Sequence, residues 1–140
     1  MIKLANAPCS WGVLEFDLEG KVAPYGQVLE EMRATGYQGT ELGDWGFLPT
    51  QPNQLSQNLA KRELDLIGAF VPVNLKDSNT HIKGLAYALK VAGLMYHAGY
   101  ENAKIVLADD NGAVEARVKN AGNITSAMGL GPNAWEIFAE

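Results

Sequence analysis

Four short apolar runs recur along the 140 residues, and the intervals between them constrain the fold more than any other feature. Leu4, Thr40, Phe70 and Ile105 mark the runs, at steps of 36, 30 and 35 residues. The first, Ile2 to Ala7, is extended and ends in the turn-rich Pro8-Cys9-Ser10-Trp11-Gly12. The second is brief, Tyr37 to Gly43, and the third, Leu64 to Val73, is almost continuously apolar, as a strand buried on both faces should be. The fourth, Lys104 to Ala108, closes on Asp109-Asp110-Asn111-Gly112. Helical patterns fill the intervals. Tyr25 to Thr35 carries Val28, Leu29, Met32 and Ala34 and is stopped by Gly36. A loop with Pro49 and Pro52 leads into Asn53 to Arg62, with Leu55, Leu59 and Ala60. Thr80 opens a long helix to about Ala98, with Ile82, Leu85, Ala86, Leu89, Ala92 and Met95 at steps of three and four, ended by Gly99. Strands separated by whole helices cannot be hairpins. They make parallel βα units with right-handed crossovers, which build an open doubly wound sheet or part of a barrel.

Composition narrows the partners. Lys and Arg number 11 against 16 Asp and Glu, a formal charge of −5, which disfavours nucleic acid and anionic membranes. At 47% apolar and 19% charged the chain is expected to form a globular core. The most apolar stretch, Gly84 to Met95, is interrupted by Lys90 and is too short for a membrane span. Cys9 is the lone cysteine, so no internal disulfide forms, and a cytoplasmic address is expected.

After Asp110 the pattern changes. Asn111 to Gly131 reads as a long polar connection, and Gly131-Pro132 as a helix start with Trp135 and Phe138 on one face. That helix stops at Glu140, so the expectation is the first part of something larger, cut in its fourth helix. A complete barrel of this type needs roughly 250 residues.

Ala7-Pro8-Cys9-Ser10-Trp11-Gly12-Val13, Gly39-Thr40-Glu41-Leu42-Gly43 and Leu107-Ala108-Asp109-Asp110-Asn111-Gly112 fall at successive strand ends. In order and spacing this series resembles the sugar phosphate isomerase/epimerase family of xylose-isomerase-like barrels, and within it the inosose dehydratases. The resemblance implies a partial (β/α)8 TIM barrel of about four parallel βα units, the N-terminal half of the fold. It also implies metal-dependent isomerase, epimerase or dehydratase chemistry on a sugar or cyclic polyol. A divalent metal (manganese, cobalt or zinc) would polarise a carbonyl while carboxylates move the adjacent proton. The family's ligands, typically two Glu, an Asp and a His, come from the second half of the barrel. No catalytic residue, metal ligand or cofactor site is therefore expected within this chain, and a non-catalytic half-barrel that binds a small polyol is the alternative.

In such a barrel ligands meet the carboxyl ends of the strands, which selects Trp11, Glu41, Asn74, Asp109 and Asp110 as substrate contacts. Trp11 can stack on a sugar face or plug the mouth. Glu41 can accept hydrogen bonds from two hydroxyls or hold a structural ion pair. Asn74 can meet a hydroxyl or order its own turn. Asp109 and Asp110 diverge from a strand end and are poorly placed to chelate one ion. The acidic pair also resembles the opening strand of a response-regulator receiver, but the 30 residues after Asp110 are too few for that fold. His81 is expected to be an exposed helix-start residue, His97 to sit at a helix C-terminus, and Cys9 to pack as a small apolar side chain. No glycine-rich phosphate loop is present. A sheet of order 1-2-3-4 leaves strands 1 and 4 open, so the chain is expected to form a homodimer through its open sheet edges, strand 4 of one copy meeting strand 1 of the other, or with the two open faces packed together.

Overall fold

The computed structural model describes residues 3–12, 23–110, 112 and 114–139. Ile2, Val13, Asn111 and Glu140, which figure in the sequence reading, lie outside the described residues. Strand β1 (Ala5–Asn6) runs into a single 3-10 turn, Pro8–Trp11, and is followed by α1 (Tyr25–Ala34), β2 (Gly39–Glu41), α2 (Pro52–Ala60), β3 (Asp65–Val73), α3 (Ser78–His97) and β4 (Lys104–Asp109). The polar connection expected after β4 carries structure of its own: a short helix α4 (Glu115–Lys119) and a 3-10 turn, Ser126–Met128. The last helix, α5 (Pro132–Ala139), begins at the predicted proline.

The fold is α/β, with one parallel sheet in the order β1-β2-β3-β4. Ala5 and Asn6 pair with Gly39 and Thr40, and Gly39 and Thr40 pair with Asp65 and Leu66. Glu41 then pairs with Gly68, so the register slips by one residue at Ile67. That slip is a bulge, a device that re-aims a side chain at a strand end.

Three helices end in the same way. After α1, Tyr37 N–H donates to the Met32 carbonyl and Gly36 N–H to that of Arg33, with Gly36 left-handed at φ 92°. After α3, Tyr100 donates to Met95 and Gly99 to Tyr96, with Gly99 at φ 91°. After α2, Leu64 donates to Leu59 and the left-handed position, φ 54°, is held by Glu63. This two-bond closure satisfies helix carbonyls that would otherwise be orphaned and turns the chain into the next strand.

By its contacts the chain divides into two units. The first takes residues up to Phe70 together with Leu89–Val106, and the second takes Val71–Ala88 and Leu107–Glu140. The first unit holds the larger core, in which Val28, Leu29 and Met32 of α1, Leu55 and Leu59 of α2, Leu66 of β3 and Val91 and Met95 of α3 are buried. Within the second, Val71 and Val73 are buried, and a Cβ built on Gly84 would lie 2.4 Å from Val73 Cγ1.

The inward face of α3 differs from the expected one. Val91, Leu94 and Met95 are buried, whereas Ile82 is 82% exposed and Leu85 and Leu89 are also exposed. Gly84 fixes this: the helix sits so close to Val73 that only a residue without a side chain fits, and the face through 84, 91 and 95 is drawn inward. Ile82, Leu85 and Leu89 lie roughly a quarter of a turn or more round the helix from the centre of that face.

Candidate functional site

The turn from β3 into α3 is held at several points. Thr80 Oγ1 donates to the carbonyls of Asn74 and Asp77, both at 2.7 Å. The Asp77 carboxylate caps the helix, accepting from Asn79 N–H at 3.1 Å and from Asn79 Nδ2 at 2.9 Å. The helix start is thus satisfied by its own side chain. Asp109, at the end of β4, accepts the Leu75 N–H at 3.2 Å on one oxygen and Arg117 Nη1 at 3.1 Å on the other. Its side chain is only 9% exposed. Asp109 is therefore engaged in joining β4, the β3–α3 turn and α4.

Asn74 is different. Its side-chain oxygen is buried and accepts no hydrogen bond, although its own carbonyl is used by Thr80. A buried acceptor without a donor costs about 1–3 kcal/mol. Asp110 continues the ladder, its N–H donating to the Val73 carbonyl at 2.9 Å, and its residue is half-buried. His81, expected to be exposed, is half-buried instead. Its Nε2 lies 2.8 Å from the Leu75 carbonyl, which can only accept, so Nε2 is the donor in that bond.

At the end of β2, Thr40 is fully buried and donates its hydroxyl to the Glu41 carbonyl at 2.9 Å. Glu41, re-aimed by the bulge, is half-buried. The loop beyond it turns at Gly43, φ 70°, and closes with Phe47 N–H on the Asp44 carbonyl at 3.0 Å. Burial pushes the Asp44 carboxyl up from the usual range. Next to it the Trp45 ring carries Lys90 Nζ 4.0 Å from its centroid. The sequence reading passed over Asp44 and Trp45. Their signal was position alone, a carboxylate and an aromatic just past a strand end.

Trp11 is turned toward α1. Its Nε1 donates to Glu31 Oε2 at 2.8 Å, Glu31 Oε1 accepts Gln27 Nε2 at 2.8 Å, and the ring meets Tyr37 edge-on at 6.3 Å. The indole N–H thus ties the first turn to α1. Cys9 is exposed rather than packed. In a one-turn 3-10 segment the buried Pro8 takes the inward position and leaves Cys9 and Ser10 outside. His97 lies in the last turn of α3, exposed and edge-on to Tyr96 at 5.4 Å.

A hollow of about 370 Å³ in the second unit is lined by Val73, Leu75, His81, Ile82, Leu107 and Phe138 among others. Its lining is mostly apolar, and Val73 and Leu75 on its wall flank Asn74 in the chain. Among the described residues no three His, Cys, Asp or Glu side chains come together to hold a metal ion. The described residues therefore offer no ligand set for the divalent metal that the resemblance implies. Nor is any described helix long and apolar enough to cross a membrane.

Comparison with known proteins gives one class of relative. No family model matches the chain, and no solved structure matches it. The inosose dehydratases of Salmonella agona (strain SL483) and Salmonella typhimurium (strain LT2) are each 37% identical to it over 67 residues. That stretch is 48% of this chain but 22% of each relative. Over about half its length, then, this parallel α/β chain bears a distant, partial similarity to inosose dehydratase.

Proposed function

We propose that the chain forms part of the substrate wall of a sugar or cyclic-polyol dehydratase, isomerase or epimerase of the inosose dehydratase kind. The observation that carries this reading is the 37% identity over 67 residues to two inosose dehydratases. The parallel sheet supports it, because ligands of parallel βα sheets bind at the carboxyl ends of the strands, where Glu41, Asn74, Asp109 and Asp110 stand. In this reading the whole chain is the N-terminal half of a barrel.

Each residue then has a defined task. Glu41 accepts hydrogen bonds from ligand hydroxyls. Asn74 turns its unpartnered oxygen toward a hydroxyl donor, so that binding supplies the hydrogen bond the free protein lacks. Asp110 adds a second acceptor. Asp109 acts through its neighbours: by fixing Leu75 and Arg117 it holds the turn that presents Asn74. Trp11 braces the first turn against α1 and offers a ring face. A divalent metal held by residues outside those described would supply polarisation of the substrate carbonyl. The described residues offer it no ligand set, and their part is binding and orientation.

Calorimetric titration with inosose, myo-inositol and simple ketoses, alongside a turnover assay with added manganese or cobalt, tests the reading. Binding of a cyclic polyol without turnover is the expected result. Turnover by the 140-residue chain would show that its own residues carry the chemistry. Binding of no polyol or ketose would remove the reading altogether.

A further inference from the structure

The backbone on both sides of Asn74 is held by hydrogen bonds, although β3 ends one residue earlier at Val73. The Val73 carbonyl accepts the Asp110 N–H at 2.9 Å. The next peptide group, between Asn74 and Leu75, is held at both of its ends. Its carbonyl accepts Thr80 Oγ1 at 2.7 Å and the Asp77 N–H at 3.2 Å. Its N–H donates to Asp109 Oδ1 at 3.2 Å. One peptide further on, the Leu75 carbonyl accepts the Nε2 proton of His81 at 2.8 Å. Each peptide group is planar, so fixing the two planes that flank Asn74 fixes its φ and ψ. Those angles restrict the rotamers open to its side chain. All of these residues belong to the second unit. What this framework presents is an amide whose Oδ1 is buried and accepts no hydrogen bond.

We infer that Thr80 is a positioning residue for Asn74: its hydroxyl fixes the Asn74–Leu75 peptide and so aims the unpartnered amide oxygen at a ligand hydroxyl. In the proposed reading Asn74 meets a polyol, and the part of Thr80 in binding rests on that reading. The Thr80 hydroxyl also lies 2.7 Å from the Asp77 carbonyl, so its one proton is shared by two acceptors and spans the turn. Threonine is stiff at χ1, which holds the hydroxyl over those carbonyls more firmly than a serine would. Hydrogen bonds weaken steeply as they bend, so an amide aimed in advance binds a hydroxyl better than one that must be ordered on binding. His81 acts one peptide later. It steadies Leu75 but leaves ψ of Asn74 to Thr80 and Asp109.

Two readouts on the 140-residue chain test this. One is the order of the Asn74 side-chain amide, from NMR relaxation of the ligand-free protein. The other is affinity for myo-inositol and inosose, by calorimetry. Thr80→Val, close in shape and without the hydroxyl, is expected to loosen the amide and to lower affinity roughly three- to tenfold, the cost of ordering one side chain on binding. Thr80→Ser keeps the hydroxyl and is expected to restore most of both. His81→Leu loosens the same helix start but breaks a bond further from Asn74, so it is expected to change both readouts less than Thr80→Val does. Were Thr80 merely structural, affinity would follow the melting temperature of each variant and the amide would stay ordered. An ordered Asn74 amide in Thr80→Val overturns the inference, as does a loss of affinity no greater in Thr80→Val than in His81→Leu. A wild type that binds no polyol removes the proposed function, and the order of the Asn74 amide then decides the role of Thr80 by itself.

Discussion

Asn74 carries the sharpest consequence at the scale of single residues. Its buried oxygen has no donor, so replacement by leucine, close in volume and without the acceptor, should stabilise the free protein by about 1 kcal/mol. The same change should abolish stabilisation by any polyol that binds. Thermal melts of both proteins with and without ligand check this, and a destabilised Asn74→Leu would mark Asn74 as a turn residue. Asp44 gives a pH signature. Burial raises its pKa in the fold, so the folded state binds protons more readily than the unfolded state. Stability from this group is present at low pH and declines as pH rises through the carboxylate range. The group is largely solvated, so the effect is small. Asp44→Asn should lack that decline and be slightly more stable at neutral pH, as chemical denaturation at several pH values would reveal. The sequence could nominate Asn74 and Asp109 from position at strand ends. It could not show that Asp109 is engaged with Leu75 and Arg117 while Asn74 is orphaned, because those facts depend on contacts made after β4. Cys9 was misjudged for a similar reason: which residue of a one-turn segment faces inward is decided by its neighbours.

Elements were more legible than residues where local chemistry dictates them. Gly36 and Gly99 announced two helix ends, because only a left-handed residue completes that closure cheaply. The third end was placed near Arg62 without its device, since Glu63 is not a residue type that signals a left-handed turn. Glu63→Gly should therefore stabilise the chain by about 1 kcal/mol, less the small loss of an exposed ion pair with Arg33. A denaturant midpoint below wild type would contradict it. The rotation of α3 was misread because Ile82, Leu85 and Leu89 fit helical spacing as well as the buried set does. What decides between the two stripes is Gly84 against Val73, a long-range contact that periodicity does not encode. Gly84→Ala should cost about 1–3 kcal/mol, the usual range for overpacking, whereas Gly93→Ala, with open space around its Cβ, should raise stability through helix propensity. Equal effects at the two sites would show that α3 does not press on β3.

The scale of the whole molecule returns to the alternation of strand and helix. Steps of about 30 to 36 residues admit only parallel βα units, and the sheet order β1-β2-β3-β4 follows. The carboxyl ends of β3 and β4 carry Asn74, Asp109 and Asp110, and the lining of the hollow in the same unit is mostly apolar. In the proposed reading a small cyclic polyol meets the second unit at the carboxyl ends of β3 and β4. Amide chemical-shift mapping by NMR during titration with inosose tests that most directly. The expected result is shifts at Asn74, Leu75 and Asp110 that saturate together. Shifts confined to the amino ends, at Lys3, Gln38 and Asp65, or no shifts at millimolar ligand, would contradict it.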